Sequence, residues 1–301
     1  MAPWIIITVT AAVFQTWRTA LQQKLRGELS VNAVGFVRYL YAIPTGLVFL
    51  CLALLITGKS LPHPNMRFLV ASAGGGLLQI FGTSLLIMAF GFRSFAVGTA
   101  YAKTEAAQGA VAAWIILGEA LSAWAIAGVA IGVAGVLTLS LAGRGLRPRA
   151  LLSATFQPAA LCGLGAGLCF AFTSIFIKEA NHSLGSTDVI LQALFGLVVT
   201  NVMQTAMQGS WIAWREPAQL RAAFTTWRSS AWVGTLSACG SACWFSAFAL
   251  APVALVRSVG QVEMVFTLLF SRFYLKEKIR GWDAVGLLLV VAGVVVILGL
   301  R

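Results

Sequence analysis

Residues 117–137 read LGEALSAWAIAGVAIGVAGVL, and residues 275–295 read LKEKIRGWDAVGLLLVVAGVV. Laid over one another without a gap, the two stretches agree at eight of 21 positions. Glu119 meets Glu277, Trp124 meets Trp282, Gly128 meets Gly286 and Gly135 meets Gly293, each pair 158 positions apart. Shared hydrophobicity alone does not hold a charge, an aromatic ring and two glycines in one register, so the chain contains an internal repeat. The same offset lays TAYAKTEAAQG (99–109) over RSVGQVEMVFT (257–267), with Glu105 over Glu263.

What is repeated follows from composition. The 301 residues are 59% hydrophobic and 10% charged, whereas a soluble domain carries about 25% charged residues. Mean hydropathy is +0.89. Too little polar surface remains to cover a water-soluble globule, so the chain reads as an integral membrane protein. Apolar runs of about 20 residues, the length needed to span, predict helices near 4–24, 31–57, 67–90, 94–117, 122–141, 156–178, 187–208, 230–250, 253–274 and 282–300. The runs are continuously apolar and do not alternate with period two, which favours helices over a barrel.

The expected organisation is a first five-helix repeat at 1–142, a basic connecting loop at 143–155 and a second repeat at 156–301. An odd number of spans per half makes the second half enter the membrane from the opposite side. The fold class is therefore all-α integral membrane, about ten transmembrane helices as two five-helix inverted-topology repeats. Many secondary transporters are built this way, with the site at the midplane between the halves. The start, MAPWIIITV, lacks the basic residues of a signal peptide and carries Arg18 inside the run, so it reads as a retained first helix.

Net charge is +12, yet the basic residues sit between spans, as in RGLRPR (144–149) and RFYLKEKIR (272–280). That is the pattern of cytoplasmic loops, not of a nucleic-acid face. Loops after odd-numbered spans hold thirteen lysines and arginines against four on the other side, which puts both termini outside the cytoplasm. The five cysteines fall within spans and read as small apolar filler. His63 and His182 lie in expected loops, so no metal or other cofactor site is expected. The absence of H-E-x-x-H and G-x-S-x-G leaves the rival reading, a membrane-embedded enzyme, without a motif.

The repeated unit, ending in an [LV]-[GK]-E…W…G…AG pattern, resembles the EamA domain. Two such domains in tandem resemble the ten-helix drug/metabolite transporters. That resemblance implies a carrier, often an exporter of amino acids or other small metabolites, in a bacterial-type inner membrane, and both termini inside. The family often has a proline about 13 residues before the glutamate that follows the fourth and ninth helices. Here those positions are Ala106 and Met264, each preceded by a glutamate.

Six ionisable residues lie well inside the expected spans: Arg18, Arg38, Lys103, Glu105, Arg257 and Glu263. Each costs at least about 2.5–3.5 kcal/mol at a span centre, so each is expected to face a cavity or a partner. Lys103 and Glu105 are two apart and point away from one another, which sends each to another helix. Arg18 or Arg38 suits one glutamate, and Arg257 or Lys103 the other. If both glutamates are paired, two cations remain for a substrate bearing a carboxylate or other anionic group.

Glu105 and Glu263 are the candidates for proton coupling. Gln15 and Trp17 beside Arg18, Gln79, Tyr101, Trp244 and Gln261 complete the expected substrate site, since a small-molecule pocket is mostly apolar with a few polar fixers. Gly128, Gly132, Gly135, Gly286 and Gly293 read as helix-packing positions, within a half or between protomers. The expected partners are a small-molecule substrate, the bilayer and protons, in a monomer or homodimer. Efflux of lipophilic cations is the rival transport reading.

Overall fold

A computed structural model of the chain describes residues 2–89, 101–118, 121–141, 158–185, 188–266, 269 and 281–299. Among these, all regular structure is helical. The elements are α1 (Pro3–Leu25), α2 (Val31–Leu40), α3 (Ala42–Thr57), α4 (Met66–Ala89), α5 (Glu105–Leu117), α6 (Ala123–Leu141), α7 (Pro158–Ser183), α8 (Val189–Arg215), α9 (Pro217–Thr225), α10 (Trp227–Leu250), α11 (Val253–Gly260) and α12 (Gly281–Gly299). In a bilayer the helix is the open-ended structure that satisfies its own backbone. Residues 31–57, α4, α7, α8 and α10 are long and apolar enough to cross a membrane. The expected loop at 143–155 lies outside the described residues, as do Glu119 and Glu277.

Local chemistry sets the ends. Ser30 caps α2 by accepting from the Ala33 N–H at 3.3 Å. Asp188 caps α8, its Oδ1 accepting from the N–H groups of Ile190 and Leu191 at 3.1 and 3.0 Å. Gly58 and Gly118 end α3 and α5 with φ of +62° and +66°, a conformation glycine adopts without steric cost. Hydroxyls in the spans turn back on their own helix: Thr8 donates to the Trp4 carbonyl and Thr16 to that of Ala12.

Three expected spans are interrupted. The run 31–57 breaks at Tyr41 because Pro44 has no N–H for the Leu40 carbonyl and its ring crowds that group. The runs 94–117 and 253–274 break at 103–104 and 261–262. Two expected boundaries also move. Helix α7 continues to Ser183 and takes in His182, expected in a loop. Between the seventh and eighth spans, expected to be a loop, α8 extends to Arg215 and α9 follows, its first turn opened by Pro217.

By packing, the chain forms two compact units, each drawing on both halves of the sequence. Unit 1 comprises Met1–Ile80 and Thr173–Ala251; unit 2 comprises Phe81–Phe172 and Pro252–Arg301. In unit 1, α1 lies along α10 where Ala11 and Gly240 keep the surfaces flat. Helix α8 packs on α2 and α3, where a Cβ on Gly46 would meet Leu197 at 2.6 Å. In unit 2 the broadest contact joins α6 to α12, the two repeat-related helices. A Cβ on Gly135 would sit 2.6 Å from the Val290 nitrogen and 2.8 Å from the Gly286 carbonyl. One on Gly293 would sit 2.6 Å from the Gly132 nitrogen and 2.7 Å from the Gly128 carbonyl. The repeated glycines thus face one another and let two backbones touch.

Candidate functional site

The two breaks in unit 2 obey the repeat. Residues 103–104 and 261–262 are turns, and each stands 158 positions from its counterpart. A glutamate opens the helix after each, Glu105 at the start of α5 and Glu263 at the start of the helical residues 263–266. No proline causes these breaks. The backbone tightens to i→i−3 bonding instead: Thr104 N–H donates to Tyr101, and Gln261 and Val262 donate to Ser258 and Val259, at 3.1–3.2 Å. At the first break the Thr104 hydroxyl also donates to the Tyr101 carbonyl at 2.6 Å, competing with the helical ladder. Short 3₁₀ stretches within a helix often mark hinges.

The charges at the breaks pair in a crossed pattern. Lys103 Nζ donates to Glu263 Oε2 at 2.8 Å, and Arg257 Nη1 donates to Glu105 Oε1 at 3.3 Å. Each repeat-equivalent glutamate therefore takes its cation from the opposite half of the sequence. Arg257 Nη2 also donates to the Phe170 carbonyl at 3.1 Å. The four side chains are between 9 and 15% exposed. Arg18 and Arg38, expected as partners for one glutamate, belong to unit 1 instead. The sequence offered no way to see this, because pairing depends on which helices become neighbours.

Two amides stand beside these pairs. Gln261, 4% exposed, has neither amide atom hydrogen-bonded. Its Oε1 lies so close to α6 that a Cβ on Gly132 would sit 2.9 Å away. Gln108 donates to the Thr104 hydroxyl at 3.0 Å, while its Oε1 is buried without a partner. A buried polar atom left unsatisfied costs about 1–3 kcal/mol, so both amides gain from a group that bonds them. Tyr101 is half-buried, and its carbonyl is the acceptor at the first break.

The remaining predicted residues lie in unit 1. Trp244 Nε1 donates to Gln15 Oε1 at 3.0 Å, and the Trp244 ring stacks on Phe248 at 5.7 Å. Arg38, 5% exposed, donates through Nε to Ser237 Oγ at 3.0 Å, with its guanidinium 5.3 Å from the Tyr39 ring centroid. Arg18 is buried in α1, whereas Trp17 is 53% exposed on its outer face. Gln79 Oε1 accepts from Gln204 Nε2 at 2.7 Å.

Gln204, Gln208, Ser237, Thr104 and Gln108 were not among the residues expected from sequence, although Gln15, Gln79 and Gln261 were. The i, i+4 spacing of Thr200, Gln204 and Gln208 was the available signal. Gln204 reaches the Gly76 carbonyl and Gln208 that of Asn32, so α8 presents a buried amide stripe to unit 1.

The sequence model of the EamA-like transporter family matches residues 2–141 and 157–299. The chain belongs to the EamA-like transporter family. It is a multi-pass membrane transporter, built of tandem EamA domains in a ten-helix fold, and as such handles a small-molecule substrate in a lipid bilayer. One solved structure, described only as a crystal structure of a protein, aligns with a TM-score of 0.73 and 16% identity. The alignment covers 99% of this chain and 98% of that one, and at this identity it speaks for the fold alone. No curated protein matches the chain.

Proposed function

We propose that this transporter is a secondary-active carrier working by alternating access in a bacterial-type inner membrane. Its cargo is a small metabolite with a carboxylate or other anionic group, an amino acid being the leading candidate, which it exports or exchanges. The crossed ion pairs at the two repeat-related breaks carry this reading. A buried salt bridge is a poor source of stability, because desolvating each ion costs several kcal/mol. Two of them at broken helices are better explained by work than by packing. Discontinuous helices are where inverted-repeat carriers bind their cargo.

In this mechanism the substrate carboxylate competes with Glu263 for Lys103, or with Glu105 for Arg257. The displaced glutamate takes up a proton or the substrate's own positive group, so no bare charge is left in the bilayer. Gln261 and Gln108 supply the neutral hydrogen bonds that orient the bound solute. Lys103 and Arg257 match the two glutamates one to one.

A ligand-induced thermal-shift panel of amino acids, carboxylates, nucleotide-type anions and lipophilic cations tests the proposal on wild type and Glu105→Gln. Stabilisation by one anionic or zwitterionic class, altered in the variant, is the expected result. Stabilisation by lipophilic cations alone overturns it.

A further inference from the structure

Unit 1 is electrically one-sided along α8. At the N-terminal end of that helix the exposed lysine and arginine are matched: Lys59 Nζ pairs with Asp188 at 3.1 Å, and Arg67 pairs with Glu179. At the other end, about 40 Å away along 27 residues, Arg215, Arg221 and Arg228 are all exposed. The carboxylate within that segment, Glu216, is turned inward. Its Oε1 accepts from Asn32 Nδ2 at 2.7 Å and its Oε2 accepts from the Ser30 hydroxyl. The α1–α2 turn is held against α9 by the Ser30 N–H, which donates to Gln219 Oε1 at 2.8 Å. That turn brings Lys24, Arg26 and the exposed Glu28 to the same end. Five cations and one outward carboxylate therefore share this face.

Aromatic rings frame it. Trp214 and Trp227 are 68 and 54% exposed on either side of α9, and Phe224 on α9 is 54% exposed. The Arg215 guanidinium lies 4.0 Å from the Trp214 ring centroid, and that of Arg228 lies 5.6 Å from Trp227. A short helix between two spans, with rings and guanidinium groups exposed together, suits a level where acyl chain gives way to headgroup. Arginine suits phosphate in particular, since its planar fork donates two bonds at once.

We infer that this end of unit 1 is a docking surface for anionic phospholipid headgroups, with α9 lying in the headgroup plane. The rings sit at the hydrocarbon boundary and the guanidinium groups meet phosphate. Anionic lipid is concentrated in the cytoplasmic leaflet, so this end faces the cytoplasm and the start of α1 faces away from it. The inference does not rest on the proposed substrate.

The test uses the full chain in nanodiscs of pure phosphatidylcholine, and in nanodiscs of equal parts phosphatidylcholine and phosphatidylglycerol. Wild type is expected to unfold at a higher temperature in the mixed discs. The difference should vanish at about 1 M salt, where screening extends only about 3 Å. R215Q/R221Q/R228Q should lose at least half of the difference, while K59Q/R67Q, at the matched end, keeps all of it. Equal unfolding temperatures for wild type in the two discs overturn the inference. So does a triple variant that keeps the full difference. Should the triple variant not fold, Arg221→Gln and Arg228→Gln carry the test singly. Each must lower the difference, and a full difference in both is equally fatal.

Discussion

The pair Lys103–Glu263 offers a decisive double-mutant cycle. The variants are Lys103→Met, Glu263→Gln and the two combined. Nζ and Oε2 are 2.8 Å apart and the side chains are 15 and 9% exposed. Charge centres about 4 Å apart attract by ~4 kcal/mol at an effective dielectric near 20. Removing one member of such a pair leaves the other buried without compensation, at a cost of about 3–5 kcal/mol. With about 2.1 cal/mol/K of unfolding entropy per residue, each kcal/mol is worth about 1.6 °C in a chain this long, so each single variant should unfold roughly 5–8 °C below wild type. The double variant removes both charges together and should recover to within a few degrees of wild type, because a neutral pair often costs nothing. Unfolding in detergent, followed by tryptophan fluorescence, reads all three. A double variant as unstable as the sum of the singles refutes the reasoning, since it would mean that the two side chains do not feel each other.

Other substitutions probe the frame around that site. Gly135→Leu drives a side chain into the α12 backbone, which cannot rotate away, and should cost at least about 1–3 kcal/mol; Ala134→Leu, on the exposed side of α6, should leave the unfolding temperature unchanged. Gly234→Val would place a Cβ 2.3 Å from the Tyr41 carbonyl carbon. It should destabilise the protein at least as much, because Tyr41 is fixed at the α2–α3 break. Asp188→Ala removes the α8 cap at a cost of about 1 kcal/mol. The Leu191 N–H above all, with Lys59 and the Ile190 N–H, holds the Asp188 carboxyl below its usual range. Its contribution is therefore complete above pH ~4 and is lost as pH falls through the lowered value. Unfolding temperatures recorded from pH 7 to pH 3 should show a smaller acid drop in the variant.

Most of the fold was legible because apolar length and repeat register are written directly in residue types. Gly128, Gly132, Gly135, Gly286 and Gly293 were legible as packing positions, but the contact they form joins the two sequence halves, not helices within a half or two protomers, because residue spacing marks a packing face without naming its partner. The breaks were less legible. Pro44 announces the one at Tyr41, but the apolar run continues across it. The breaks at 103–104 and 261–262 carry no proline, and a hydropathy window smooths over two residues. Helix α9 escaped notice because its exposed arginines and partial apolar face put it below any spanning threshold. At the candidate site, the burial cost of charge singled out Lys103, Glu105, Arg257 and Glu263 from sequence as residues needing partners, and the structure pairs them. Which charge meets which depends on helix neighbours, and the two contact units cut across the sequence halves.

The crossed pairs are related by the repeat without being equal. Lys103 stands two residues before its own half's glutamate, and its counterpart at that offset is the neutral Gln261. Arg257 stands six residues before Glu263. Arg257 divides its donors between Glu105 and the Phe170 carbonyl. Lys103 directs one bond to Glu263, and an ammonium has three hydrogens to give. Among the described hydrogen bonds Lys103 is therefore tied to its glutamate alone, and it is the freer of the two cations to change partner. Arg257, tied to backbone, is the better anchor for its own break. Lys103→Met combined with Glu263→Gln should then fold and yet lose the ligand-induced thermal shift. Arg257→Met combined with Glu105→Gln should lower stability and retain a shift of similar size. A ligand response that survives the first double variant and disappears in the second would reverse the assignment, placing substrate on the arginine and the structural tie on the lysine.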